Sequence, residues 1–324
     1  MTRRYSRRSA MGLVTTASGL SLAGCLGGGG DSAVRISGGV GPLPMVEVWA
    51  DLYENHTETT FDISGGGTGV GVSDVLNGQV DIAMMGRAPE PEETEQGLFA
   101  VPMLIDTVVG TVNADNPVLE SLESEGLTRE EFESVFTKEI TNWGELVDED
   151  IDEEIVVYGR SDASAAYKQW GDFLGGDDNA YTQNELESVA DANHNGDQPV
   201  AEAVGSRENA ISLNNINYVY DLESGKLESD IRPVPLDTDG DGLSSEESFY
   251  RTRSEFLRAV EEGRYPAPPA REMFLASNGE FDGEAGEFVE WVLTEGQQHV
   301  RDNGYVPLEE SRLAAAQERL ASGA

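Results

Sequence analysis

The sequence predicts an α/β protein, and three observations lead there. A short strand, a glycine-rich loop and a helix follow one another three times, over 34–56, 61–77 and 154–174. Inside each unit the apolar pattern changes from a short extended run to helical i, i+3, i+4 recurrence. The chain has 324 residues, enough for two lobes or one large domain.

The first thirty residues read as an export signal rather than fold. Arg3-Arg4 and Arg7-Arg8 precede a mildly apolar run from Ala10 to Leu22, then Leu22-Ala23-Gly24-Cys25. A basic region, an apolar region and small residues before a cleavage point define such a signal. Paired arginines before a mild apolar run fit twin-arginine export. Cys25 is the single cysteine, so no internal disulfide is possible. Its setting resembles a lipobox, in which the cysteine becomes the lipidated N-terminus, and Gly27 to Gly30 would form a flexible tether.

The first unit runs through Ser37-Gly38-Gly39-Val40-Gly41, with Pro42 suited to open a helix, then Leu43, Val46, Trp49 and Tyr53 at helical spacing. The second runs through Gly65-Gly66-Gly67-Thr68-Gly69, a helix over 70–77, and a strand near 80–84 that ends at Gly86-Arg87. Thr68 can either cap that helix or give its hydroxyl to a ligand. The segment 99–112 is apolar and β-rich, with a break expected near Ile105-Asp106. Thr128, with Glu131 three residues on, opens a helix as a capping box. The third unit carries Gly159-Arg160-Ser161-Asp162-Ala163-Ser164 before a helix with Tyr167, Trp170 and Leu174 inward. Further on come a strand at 209–213, a helix over 248–262, the stiff Tyr265-Pro266-Ala267-Pro268-Pro269, a strand at 272–276, and helices over 284–300 and 309–320.

A helix N-terminus presents unpaired N–H groups and a partial positive charge, so each such loop suits a small anion. Arg160 at the mouth of the third adds a guanidinium, whose fork matches tetrahedral oxyanions. The plainer reading is that Arg160 only pairs with Asp162.

Composition narrows the function classes. Sixty-one acidic residues against 21 basic ones give a formal net charge of −40. Such an excess argues against nucleic acid, which needs a basic footprint, and suits a surface solvated in high salt. An anion site in such a protein works against its own field, helped by screening lengths of about 3 Å in molar salt. His56, His194 and His299 have no metal-pair spacing and read as surface residues. No nucleophile elbow or phosphate-loop lysine motif appears, so no enzyme, metal or cofactor is expected. Asp237-Thr238-Asp239-Gly240-Asp241-Gly242 matches the first six positions of a calcium loop, but the twelfth position is Ser248. An acidic turn is the favoured reading there.

The chain resembles the substrate-binding proteins of phosphate ABC importers over roughly 34–308. The residues that carry this are Ser37-Gly38-Gly39 with Pro42-Leu43, the Gly65–Gly69 turn, Asp81-Ile82-Ala83 leading to Gly86-Arg87, and Asn116-Pro117. Others are Leu127-Thr128 through Phe136 to Ile140-Thr141-Asn142-Trp143, and the Arg160 to Ala166 loop. Tyr265-Pro266 with Arg271, Gln297, and Gly304-Tyr305-Val306-Pro307-Leu308 complete the pattern.

The resemblance implies a two-lobed, hinge-type α/β fold, each lobe a mixed sheet flanked by helices, with lobe 1 over 34–108 plus 236–324 and lobe 2 over 109–235. It implies an extracytoplasmic lipoprotein, monomeric, that binds phosphate or a related oxyanion between the lobes. The anion would pass to the membrane subunits of an ABC permease. The implied site is Gly39, Thr68, Gly86, Arg87, Arg160, Asp162 and Ser164, with Arg87 and Arg160 reaching the anion from opposite lobes. The pattern departs from the family where hydroxyls are expected: Gly39, Val40 and Gly41 in the first loop, Gly86 before Arg87, and Ala165-Ala166 after Ser164. No carboxylate stands near Arg87 in the place where some members accept a proton from hydrogen phosphate. Selectivity is therefore expected to drift from the family norm. A sensor, or a binder of another oxyanion, is the alternative function, and a secreted phosphate-ester hydrolase a more distant one.

Overall fold

In the computed structural model the described residues are 33–323, without 148–149, 163 and 177–179. The stretch expected to be an export signal, with Cys25, lies outside them.

The first unit is β1 (Val34–Gly38) followed by α1 (Leu43–Glu54). Met45, Val46, Trp49 and Tyr53 are buried, and the Trp49 indole N–H donates to the Gly296 carbonyl at 2.8 Å. The second is β2 (Phe61–Gly65), α2 (Thr68–Leu76) and β3 (Ile82–Met85), followed by the short α3 (Pro91–Glu95). Next comes β4 (Leu98–Asn113), a single strand where two were expected. Asp106 looks like a break in sequence. It is instead buried inside the strand because a cross-strand arginine, Arg271, meets it at 2.7 Å. The irregularity is a bulge between Pro102 and Leu104.

After α4 (Leu119–Glu125), α5 (Arg129–Phe136) opens on the expected capping box, with Glu131 Oε2 accepting from the Thr128 N–H at 2.8 Å. The third unit is β5 (Val156–Arg160) and α6 (Ala165–Gly175). Then follow α7 (Gln183–Val189), β6 (Ala192–His194), α8 (Asp197–Gly205), β7 (Ala210–Asn215) and β8 (Ile231–Pro233). The chain ends with α9 (Arg253–Glu261), β9 (Ala270–Asn278), α10 (Gly283–Val292) and α11 (Glu310–Ser322). Two expected helices are shorter than their apolar patterns. The helix expected from 248 starts only at Arg253, on a Thr252 cap that accepts from the Glu255 N–H. The one expected to 300 stops at Val292, and Glu295–His299 is a separate 3₁₀ turn.

The strands join in the order β2-β1-β3-β9-β4-β7-β5-β6, with β8 also on β4. The β1, β2 and β3 pairings are parallel, as are those of β5 with β6 and β7. β4 ties the two parallel sets together. Its residues 98–107 run antiparallel to β9, and 108–113 antiparallel to β7 and β8. The buried side chains divide at the same place. Ile36, Trp49, Met103 and Phe288 belong to one cluster, and Val108, Phe132, Trp170 and Ile211 to another. Phe249, Tyr250, Phe256 and Tyr265 also pack into the second.

The acidic turn at 237–247 is closed by its own hydrogen bonds. Asp237 accepts from the N–H groups of Gly240 and Gly242 at 2.8 and 2.9 Å. Burial pushes the Glu247 carboxyl up, but N–H and hydroxyl donors from Thr238 and Ser244 outweigh that and hold it at about 2. Carboxylate oxygens of Asp237, Asp239 and Glu247 lie within 4.8 Å of one another. No helix of the described residues is long and apolar enough to cross a membrane.

Candidate functional site

The first two glycine loops interlock. The Gly38 carbonyl accepts from the N–H groups of Gly66 and Gly67 at 2.8 and 2.9 Å, and the Gly39 N–H donates to Met84 O at 2.8 Å. Gly38 has φ +139°, and a Cβ there would lie 2.2 Å from Met84 O, so only glycine fits. Thr68 does not cap α2: it is the first residue of that helix, whose N-cap is Gly67. Its hydroxyl accepts from the Gly86 N–H at 3.0 Å, which leaves its O–H able to donate to a ligand. A Cβ on Gly39 would stand 3.2 Å from that hydroxyl and 3.5 Å from the Gly86 nitrogen. Gly39, Thr68 and Gly86 are thus brought to one spot by β1, α2 and β3.

The second group is built on the loop between β5 and α6. Ser164 caps α6, accepting from the Tyr167 N–H at 3.1 Å, and is buried. Arg160, the last residue of β5, is 3% exposed. Its Nε and Nη2 donate to the two Asp162 oxygens at 2.8 and 2.6 Å. Nη1 donates to Asp197 at 2.6 Å. Among the described residues these bonds use three of the five N–H groups of a guanidinium, leaving one on each terminal nitrogen. Burial works against ionised Asp162, but Arg160 and the Gly196 N–H outweigh it and hold its carboxyl below the usual range. Asp197 behaves oppositely. Burial raises it against the pull of Arg160, and nearby Asp106 raises it further. Pairing of Arg160 with Asp162 is therefore real, and it fixes a guanidinium at the start of a helix.

Arg87 directly follows Gly86, and its side chain is held by its own near neighbours. Its two terminal nitrogens fork onto Glu93 of α3 at 2.9 and 2.7 Å, and Nη1 also donates to Ala88 O. The partners seen for it are all within six residues. At the changeover point of β4 stands a different arginine, with little of its side chain exposed. Arg271 donates from Nε and Nη2 to Asp106 Oδ2 at 3.2 and 2.7 Å, and Asp106 also accepts from Asn215. Tyr305 closes the same place, donating to Gly41 O at 2.7 Å.

Asp197, Asp106, Asn215 and the role of Arg271 were not read from the sequence. Asp197 lies in the polar stretch 191–197, which holds β6 and the start of α8, beside Arg160. His194, expected at the surface, pairs with Arg160 in the β5–β6 register and has its Nε2 buried. Arg271 and Tyr305 are among the residues that carry the family resemblance in sequence. Two of the positions expected to lack a hydroxyl differ in setting: Val40 is 58% exposed and Ala166 is buried.

A mixed sheet crossed by one long shared strand, with glycine-loop units on either side of the crossover, is the two-lobed α/β fold of a binding protein. The chain matches the PBP superfamily domain over residues 26–295, and it belongs to that superfamily. It is 23% identical to a phosphate-binding protein PstS of Bacillus subtilis (strain 168), over 87% of this chain and 82% of the relative. A PstS of Methanocaldococcus jannaschii is likewise 23% identical, over 93% of this chain and 91% of the relative. The crystal structure of a putative phosphate ABC transporter substrate-binding protein with bound phosphate, from Clostridium perfringens, superposes with a TM-score of 0.65. It is 22% identical and covers 86% of this chain and 100% of that one.

Proposed function

We propose that this protein binds phosphate or a related tetrahedral oxyanion between two lobes and delivers it to an ABC permease. One observation carries the reading: a buried guanidinium, Arg160 at the end of β5, held through two hydrogen bonds by Asp162 in the loop that leads to α6. Preorganised donors of this kind suit oxyanions. The phosphate-binding relatives support the same reading. The site comprises Arg160 with Asp162 and Ser164 on one side, and Gly39, Thr68 and Gly86 on the other. The two lobes are the expected ones, 34–108 with 236–324 and 109–235, except that the packing of Phe249, Phe256 and Tyr265 with Val108 supports assigning 249–265 to the second. The protein acts as a binding protein rather than an enzyme.

Titration calorimetry in molar salt tests this. Saturable phosphate binding with one site per chain is expected, and its absence refutes the reading. With Val40, Gly86 and Ala166 in place of hydroxyl-bearing residues, sulfate is expected to bind within roughly tenfold of phosphate, a gap of about 1.4 kcal/mol. A phosphate preference above roughly a hundredfold would show that the missing side chains were never the source of selectivity.

Attachment to the outer face of the cell membrane through lipidated Cys25 belongs to the same reading. It is supported by Leu22-Ala23-Gly24-Cys25 and the glycines behind it. Each buried CH₂ of an acyl chain adds about 0.8 kcal/mol, so two chains anchor stably. Cys25→Ser is expected to move the protein from the membrane fraction to the medium, or to leave an uncleaved precursor. Equal membrane-free amounts of mature protein from both forms would refute attachment.

A further inference from the structure

We propose that Arg271, not Arg87, supplies the second cationic contact to the bound anion, reaching it from β9 as Arg160 reaches it from the β5–α6 loop. The inference rests on the binding reading above and assigns a residue within it.

Arg271 stands opposite Asp106 in the β4–β9 register, one pair before the end of that ladder. The next β4 residue beyond it, Val108, already pairs with Asn215 of β7. Arg271 is therefore at the seam between the two cores, whereas Arg87 is held by Glu93 of a short surface helix. The side chain of Arg271 is 9% exposed and that of Asp106 is 2% exposed. Its Nη2 would lie 3.4 Å from a Cβ on Gly41, so the guanidinium is against the Gly39–Gly41 loop. Its Nη1 is buried with no hydrogen-bond partner. A buried guanidinium nitrogen without an acceptor is costly, and an anion oxygen is the partner it lacks.

The two arginines share one electrostatic neighbourhood. Asp106, partner of Arg271, raises the proton affinity of Asp197, partner of Arg160. Tyr305 responds to Asp106, Arg271 and Asp197 together, with burial the main influence. Arg160 and Arg271 face the three carboxylates of Asp162, Asp197 and Asp106, a formal sum of one negative charge. With Arg160 alone, an anion would meet a larger negative excess. The free N–H groups of both guanidinium ions are what give it a favourable place.

The test is phosphate calorimetry on the full chain at one fixed molar salt concentration, with thermal midpoints recorded in parallel. Asp106→Asn/Arg271→Gln removes both charges together, so the local charge sum is unchanged and no buried carboxylate is orphaned. We expect it to bind phosphate at least tenfold more weakly than the parent. Asp106→Asn alone keeps the fold isosterically and relieves Arg271 of its counter-charge, so it should bind severalfold more tightly. Arg87→Gln should bind within twofold of the parent. A folded double variant that binds like the parent, an Asp106→Asn variant with unchanged affinity, or an Arg87→Gln variant that loses as much as the double variant would each overturn the assignment. Absence of phosphate binding by the parent itself would instead overturn the binding reading, so the two failures are distinguishable.

Discussion

Arg160→Lys is expected to weaken phosphate binding by roughly 10- to 100-fold, the worth of about 1.5–3 kcal/mol for a hydrogen bond to a charged group. The charge remains, so Coulomb attraction alone predicts little change. What is lost is the fork. Nε and Nη2 fill both Asp162 oxygens, and Nη1 meets Asp197 on a third side. An ammonium cannot span those directions and still face a ligand. Arg160→Ala goes further, because Asp162 and Asp197 would both lose their buried counter-charge. Removing one partner of a buried ion pair typically costs about 3–5 kcal/mol, so this variant should also melt at lower temperature. Calorimetry and thermal unfolding in the same high-salt buffer separate the two effects. If the lysine variant binds as tightly as the parent, Arg160 is not the anion's main charge donor.

The local units were readable because their signals are local. Gly38, Gly65 to Gly67 and Asp162-Ser164 each mark a turn within a few residues of the strand and helix they join. Arg160 was readable for the same reason, as a basic residue at the mouth of such a turn. Arg271 and Asp106 were not readable together, because they are 165 residues apart and meet only through the β4–β9 register. Asp106 in an apolar run looked like a strand break, since nothing nearby in sequence pairs with it. Arg87 stands directly after a strand and Gly86, the position that marks it in sequence as a ligand residue; its pairing with Glu93, six residues on, emerges only once Pro91 starts a helix. Asp197 was hidden by its polar surroundings, and only the parallel β5–β6 pairing brings its segment beside Arg160.

The second large effect expected is on stability, at Gly71. Glycine inside a helix normally costs about 1 kcal/mol relative to alanine, so Gly71→Ala in α2 ought to stabilise on propensity alone. Packing decides otherwise. A Cβ at Gly71 would lie 2.6 Å from Gly38 Cα and 2.7 Å from Ser37 O. Both are backbone atoms of β1, which cannot rotate away as a side-chain end could. β1 is itself pinned between β2 and β3, and Ser37 donates its hydroxyl to Asp74 of α2 at 2.8 Å. The helix must therefore lift off the strand. Overpacking of this kind costs about 1–3 kcal/mol, and against rigid backbone the upper part of that range applies, leaving a net loss of about 2 kcal/mol after the propensity gain. Lifting α2 also separates Thr68 from the Gly86 N–H, so phosphate affinity should fall as well. Gly69→Ala in the first turn of the same helix is the control. A Cβ there would meet nothing within 4 Å, so this variant is expected to be neutral or more stable by up to about 1 kcal/mol. Denaturant unfolding at one high salt concentration compares them. Equal stability of the two alanine variants would mean that α2 does not rest on β1 through its glycine, and that the contact positioning Thr68 lies elsewhere.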